Sequence, residues 1–295
     1  MKTIFIISSK SRNEYADLKK EIISIYSKAD LEFEIYTTEN KNSIKEITRK
    51  YSDKECIIYV CGGDGSLNEA ASELVNKKAA LGLIPLGTAN DFSKNFDYSK
   101  FSLDDTLNPV VKTCDIIQLN DMFCINILSF GLDTIALSNT YKVLEKFPFL
   151  KAKAYPFGIL RSIFKPFALH LDIELNLRDG KIYKADDLFT LGAVCNGSYY
   201  GDGFNPSPNS RVDDGILEVV LVKKLNLINI LKILPSYKKG LHLKYPQIDI
   251  LEVESGTIKS NDTILSNVNG EIFETKQIDF KILKSAIKFV YLGGL

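Results

Sequence analysis

Residues 56–69 read CIIYVCGGDGSLNE, and their order decides the architecture. The run at 56–60 (CIIYV) is short, apolar and rich in β-branched side chains, which reads as a buried strand. It passes directly into Cys61-Gly62-Gly63-Asp64-Gly65-Ser66, and a helical stretch over 66–76 follows. Backbone N–H groups at such a helix start point at an anion, and the helix dipole favours negative charge there. Glycines let a phosphate approach the backbone closely. Asp64 cannot itself attract phosphate, so a cation between the two is expected, with Mg²⁺ the natural choice. The plainer alternative is a tight turn in which Asp64 or Ser66 caps the helix. GxxxxGK[ST] is not met, because the turn has no lysine; GxGxxG fails because Asn68 stands where its third glycine belongs.

Outward from this turn the first third of the chain alternates. Residues 3–8 are a short apolar run, a polar helical stretch reaches about residue 28, and 31–36 (LEFEIY) alternate like a strand. Residues 42–50 read as helix and 80–84 as strand. This βαβα order predicts a parallel sheet covered by helices. A second turn, Gly87-Thr88-Ala89-Asn90-Asp91-Phe92, follows the apolar residues 83–86 and is expected to open another helix. In a parallel sheet ligands sit at the carboxyl ends of the strands, where these two turns converge.

From about residue 114 the texture changes. Residues 114–119 and 122–129 flank Asn120-Asp121 like two strands around a turn, and a helix is expected over 132–146. Arg178-Asp179-Gly180-Lys181 and Asn269-Gly270 both sit between alternating runs, which signals hairpins. The second half is therefore read as antiparallel, with the boundary near residue 121.

The length of 295 residues allows two domains. Lys and Arg number 37 against 37 Asp and Glu, which argues against a mainly electrostatic nucleic-acid binder. The start, MKTIFIISSKSRNEY, is too short in apolar residues for a signal peptide and suits a first buried strand. No stretch reaches the roughly 18 uncharged apolar residues of a membrane-spanning helix. Cys56, Cys61, Cys114, Cys124 and Cys195 are odd in number and lack CxxC pairing, so buried thiols in a reducing cytoplasm are expected. His170 and His242 lack a carboxylate pattern and read as structural; no nucleophile elbow surrounds Ser8 or Ser9.

GGDGSLNE followed about two dozen residues later by PLGTANDF resembles the diacylglycerol kinase catalytic family, which includes bacterial lipid kinases and has sphingosine and ceramide kinases as relatives. The stretches at 126–134 (NILSFGLDT) and 205–218 (NPSPNSRVDDGILE) agree in the expected order, so the resemblance covers most of the chain. It implies an N-terminal α/β nucleotide-binding domain over 1–121, joined by about 286–295, and a C-terminal antiparallel β-sandwich lipid-substrate domain over 122–285. It also implies transfer of the ATP γ-phosphate to a lipid hydroxyl, with diacylglycerol giving phosphatidic acid as the leading case in phospholipid biosynthesis. Gly62, Gly63, Asp64, Gly65, Ser66, Leu67 and Asn68 would hold the phosphates, with Asp64 linked to Mg²⁺. Thr38 and Thr88 would touch the nucleotide, and Asn90 and Asp91 would shape its cleft. Asp115 matches an acid near the transfer site, and Glu271 the general base, whose pKa burial in a lipid-lined cleft would raise. Asp214, with the carbonyls of Arg211 and Ile216, matches a structural Mg²⁺ site of some bacterial members. Three places depart from the family pattern: the first loop reads SSKSRN, the acidic turn has Asn269 in place of aspartate, and Gly201-Asp202-Gly203 replaces a glycine triplet.

The rival activity is that of NAD kinase, which shares a Gly-Gly-Asp-Gly turn; PLGTANDF speaks against it. A catalytically inactive lipid-binding relative is the rival of a different class. Charge is also unevenly spread. Residues 146–171 hold Lys146, Lys151, Lys153, Arg161 and Lys165 with no acid, interleaved with Phe147, Phe149, Tyr155, Phe157, Phe164 and Phe167. Residues 219–248 hold Lys223, Lys224, Lys232, Lys238, Lys239 and Lys244, again with no acid. Such segments suit peripheral contact with an anionic membrane, and equally two solvated faces over a core. A homo-oligomer stays open.

Overall fold

The computed structural model describes residues 1–9, 15–40, 42–163 and 167–292. The chain divides into two units: Met1–Ile116 with Val212–Asp214 and Leu283–Leu295, and Ile117–Arg211 with Gly215–Ile282. Lys10 to Asn13 of the first loop, and Phe164 and Lys165 of the basic stretch, lie outside the described residues, as do the side chains of Lys151, Lys153 and Tyr155.

In the first unit, β1 (Lys2–Ile7), β2 (Phe33–Thr37), β3 (Cys56–Gly62) and β4 (Ala80–Pro85) alternate with α1 (Tyr15–Lys28), α2 (Ser43–Tyr51) and α3 (Asp64–Glu73). All four strands are parallel, in the order β4-β3-β1-β2. Every residue of β3 is buried, as is all of β1 after Lys2, because a parallel sheet is covered on both faces. Phe5 of β1 stacks on Tyr59 of β3 at 5.3 Å between ring centres, and Tyr26 of α1 meets Phe5 edge-on at 5.1 Å. The chain leaves β1 for β2 on one side and returns to β3 on the other, so the topological switch point lies between β1 and β3.

The register aligns the carboxyl ends. Ile7 pairs with both Thr37 and Cys61, and Gly62 pairs with Pro85. The bonds Thr38 N–H to Ile7, Ser8 N–H to Cys61 and Leu86 N–H to Gly62, each 3.0 Å, carry the alignment one residue past the strands. The turns after β1, β2, β3 and β4 therefore leave from one edge in adjacent positions, about 4.8 Å apart.

The second unit is antiparallel. It contains part of β5 (Val110–Leu119), then β6 (Met122–Cys124), β7 (Ile127–Gly131), β8 (Leu169–Leu177), β9 (Ile182–Cys195), β10 (Leu217–Lys223), β11 (Ile248–Val268) and the start of β12 (Glu271–Tyr291). β9 pairs with β8 through its first half and with β7 and β10 through its second. β11 likewise passes from β10 to β8 and then to β7, with β12 along its flank. Two long strands that change partners fold the ladders over one core, in which Phe130, Leu171, Ile173, Phe189, Leu217 and Ile258 are buried. Helices α4 (Leu132–Lys146), α5 (Ala154–Ile163) and α6 (Leu227–Lys238) belong to this unit. β12 belongs to the second unit up to Ile282; from Leu283 it counts with the first, where Lys288 and Phe289 pair in parallel with Ala80 and Leu81 of β4.

Both hairpins read from the sequence form. At Asn269-Gly270, Val268 pairs with Glu271, and φ is +50° and +90° at the two loop residues, as a two-residue turn with positive φ at both positions requires. One expectation fails: no α-helix follows the second glycine turn. Phe92–Asn95 form only a four-residue 3-10 turn, which ends where Phe96 becomes extended. Asn90 takes a left-handed φ of +49° ahead of this turn, and Phe96 leaves it to stack on Phe289 at 5.4 Å between ring centres.

Candidate functional site

The first group of candidate residues lies at the carboxyl edge of the parallel sheet. Gly63 is the N-cap of α3, in extended conformation, and no side chain caps the helix. The capping roles open to Asp64 and Ser66 in the sequence are therefore not taken up. The first N–H groups of α3 are left for an external acceptor, which fits a phosphate. Leu67 contributes differently: its side chain is buried and its N–H already goes to the Gly63 carbonyl at 3.0 Å.

The two glycine turns touch. A Cβ on Gly87 would stand 2.5 Å from the Gly63 Cα, and one on Gly63 would stand 3.1 Å from the Gly87 Cα. A side chain at 87 would force the backbones apart, and one at 63 would be tight. Asn90 braces its own turn: Oδ1 accepts the Gly87 N–H at 2.8 Å and Nδ2 donates to the Gly87 carbonyl at 2.9 Å. Asp64 joins the turns. Its Oδ2 accepts the Asp91 N–H at 3.0 Å and its Oδ1 accepts the Phe92 N–H at 2.8 Å. Asp64 thus caps, from 27 residues away, the 3-10 turn that Asp91 opens. Burial pushes the Asp64 carboxyl up, against the pull of those two donors. Asp91 is buried and pairs with Lys94 at 2.6 Å. Thr88 is exposed on the turn, and Thr38 is buried with its hydroxyl accepting the Ser9 N–H at 2.8 Å.

These residues suit nucleotide phosphates better than they suit a resident metal. Both Asp64 oxygens already accept N–H groups, and among the described residues no cluster of three or more His, Cys, Asp or Glu could hold an ion. That search does not bear on a site of one carboxylate and two carbonyls. Asp214 counts with the first unit and Arg211 and Ile216 with the second, and Gly215 between them has φ +74°. Asp115 is buried, and its Oδ1 accepts the Ser285 N–H at 2.6 Å, within the first unit.

The second group lies in the second unit. An apolar pocket, open to solvent on one side, is walled by α4, α5, α6 and β9, with Leu132, Ala136, Ile159, Leu191, Ile230 and Ile233 among its lining. Asp133 also lines it. Oδ1 of Asp133 accepts the Thr134 N–H at 2.6 Å, while Oδ2 is buried with no partner of regular geometry. Burial pushes this carboxyl up to about 6, opposed by the nearby Ser129 hydroxyl, Thr134 and the Tyr200 hydroxyl. The sequence stretch containing Asp133 was legible, but its place in a pocket was not.

Glu271 follows the Asn269-Gly270 turn and is exposed, so the burial expected around it is absent in the protein alone. On and beside helices α4, α5 and α6, large apolar side chains face outward: Phe149 is 76% exposed and Ile228 75%, with Phe147, Phe157, Leu160 and Leu231 about half exposed. On α6, Ile230, Ile233 and Tyr237 are buried while Ile228 and Leu231 are bare, so this helix is apolar on two faces. All five cysteines are free and buried, and His242 is fully buried with Nε2 2.8 Å from the Pro206 carbonyl. His242 is thus structural, as expected. No helix among the described residues is long and apolar enough to cross a membrane.

Comparison with known proteins agrees with this geometry. Residues 2–119 match the diacylglycerol kinase catalytic domain, and residues 126–291 match the YegS C-terminal NAD kinase beta sandwich-like domain. The chain is 28% identical over 291 residues to a protein of Shewanella frigidimarina named "Probable lipid kinase YegS-like", covering 93% of this chain and 89% of that one. It is 26% identical over 276 residues to a diacylglycerol kinase of Staphylococcus carnosus, covering 91% and 87%. In fold it resembles a diacylglycerol kinase of Bacillus anthracis str. Sterne, with a TM-score of 0.71 at 20% identity over 98% of this chain and 96% of that one. With both of its halves matched in order, the chain belongs to the diacylglycerol kinase family of lipid kinases.

Proposed function

We propose that this enzyme transfers the γ-phosphate of ATP to the hydroxyl of a membrane lipid, with diacylglycerol as substrate and phosphatidic acid as product. The observation that carries the nucleotide half is the contact of Gly63 with Gly87 beside the uncapped start of α3. It leaves backbone donors, uncapped by any side chain, where phosphates would approach. Mg²⁺ would arrive on the nucleotide's phosphates and offset their charge, as is usual for this ion. Asp64 holds the two turns together, Asn90 and Asp91 shape the second, and Thr88 and Thr38 flank the edge.

The lipid half rests on the apolar pocket, which suits an acyl chain. Glu271 takes the proton of the lipid hydroxyl as its oxygen forms the bond to the γ-phosphorus; the bond to the bridging oxygen breaks and ADP leaves. Such transfer depends on positioning and electrostatics more than on covalent chemistry. Bound lipid would supply the burial that Glu271 lacks in the protein alone. A polar second substrate such as NAD gives no reason for the pocket's apolar lining, although the sandwich domain is described by its likeness to that of NAD kinase.

The bare apolar side chains of α5 and α6, with Lys232, Lys238 and Lys239 on or beside α6, provide a face for an anionic bilayer. A soluble catalyst must reach a substrate held there. Glu271→Gln tests the chemical half: turnover should be abolished while ATP binding persists, and near-normal turnover would remove Glu271 as the base.

A further inference from the structure

Tyr141 lies on α4, and its hydroxyl donates to the Gly270 carbonyl at 2.6 Å. That carbonyl belongs to the peptide joining Gly270 to Glu271. Rotation of this peptide would redirect the Glu271 side chain, and glycine on its near side leaves the rotation weakly restrained. The other side of the glycine is held as well. The Gly270 N–H donates to Asn267 Oδ1 at 2.8 Å, and Asn267 Nδ2 reaches Ser129 Oγ on β7 at 3.3 Å. Gly270 also makes room for the phenol, since a Cβ there would stand 3.3 Å from the Tyr141 oxygen.

We propose that Tyr141 is a positioning residue for Glu271: by fixing the Gly270–Glu271 peptide it aims the carboxylate at the lipid hydroxyl. The turn does not need this bond to form, because Asn-Gly with positive φ at both positions closes a two-residue hairpin unaided. Tyr141 is 40% exposed, so its hydroxyl could have been left to water. Instead it reaches from a helix to a turn 129 residues away in sequence. The charge of Glu271 registers at the phenol, where burial first and that carboxylate second push the Tyr141 pKa up. The proposal rests on the reading of Glu271 as base.

Tyr141→Phe removes one oxygen and keeps the ring. Steady-state assays with radiolabelled ATP and diacylglycerol in mixed micelles should show kcat lowered roughly tenfold, the cost of a misplaced catalytic group, with KM for ATP unchanged. The same substitution made in a Glu271→Asp background should cost much less, because the two residues act as one unit. Asn267→Ala, which frees the Gly270 N–H on the other side of the turn, should also lower kcat and not KM. A wild-type kcat in Tyr141→Phe, a loss seen only in KM, or equal losses in the two backgrounds would overturn the proposal. If Glu271→Gln is inactive while Tyr141→Phe is normal, only the positioning role falls. If Glu271→Gln stays active, the base assignment falls and takes this role with it.

Discussion

The Asp64 carboxylate accepts the Phe92 backbone N–H at 2.8 Å, across 28 residues of sequence. With its second oxygen on Asp91, it fixes the turn after β4 to the turn after β3. An acid in a phosphate turn first suggests a metal bridge. Here it works as a cap for a neighbouring turn, and the pair of turns becomes one rigid surface of backbone donors.

Asp64→Asn should therefore weaken nucleotide binding without unfolding the protein. An amide retains one acceptor oxygen, so one of the two backbone bonds is lost, about 1 kcal/mol or somewhat more for a bond to a charged group. Titration with a fluorescent ATP analogue should show a several-fold rise in Kd in both the presence and the absence of Mg²⁺. A Kd change confined to Mg²⁺-containing samples would instead make Asp64 a metal ligand.

Asp133 gives a stability prediction with a definite sign. Its folded pKa, near 6, lies above the ordinary value of 3.8. Between those values the native state binds more protons than the unfolded state, so stability falls as pH rises through this window and the cost is complete above pH 6. Asp133→Asn should stabilise the protein by roughly 1–3 kcal/mol at pH 7.5 and by little at pH 4. Urea unfolding at the two pH values checks this, and an equal effect at both would contradict it.

His242 works in the opposite direction. Burial holds its pKa below the usual 6.5, and Nδ1 is buried without a partner. Its contribution is full above pH 6.5 and is lost as pH falls below that value, because the unfolded state then takes up the proton more readily. His242→Gln should flatten the acid limb of the melting curve below pH 6.5; an unchanged limb would place the proton uptake elsewhere.

The exposed face of α5 and α6 should bind vesicles carrying anionic lipid. Replacing Phe157 and Ile228 together by serine should reduce sedimentation with such vesicles several-fold while leaving the melting temperature near that of the parent, since both side chains are exposed. Equal binding of the parent to neutral vesicles would argue against the electrostatic part of the contact.

The fold was largely legible because its signals are local. The apolar runs at 56–60 and 80–84 became β3 and β4, the helix expected over 132–146 became α4, and Asn269-Gly270 closed a hairpin. The expectations that changed depend on contacts distant in sequence. The helix expected after Gly87 stops after one 3-10 turn, because Phe96 leaves it to stack on Phe289 of β12. The bonds of Asp64 run to backbone groups, which carry no sequence mark. Tyr141 was missed for the same reason: its partner is a carbonyl of a turn formed by β11 and β12. The place of Asp133 in a pocket depends on three helices that meet around it, and no spacing within one of them records it.

The central claim is tested most directly by incubating the purified protein with γ-radiolabelled ATP, Mg²⁺ and, in separate reactions, diacylglycerol, a sphingoid base, ceramide and NAD. Labelled phosphatidic acid from diacylglycerol is the predicted result. Clean labelling of NAD with no label in any lipid would contradict it.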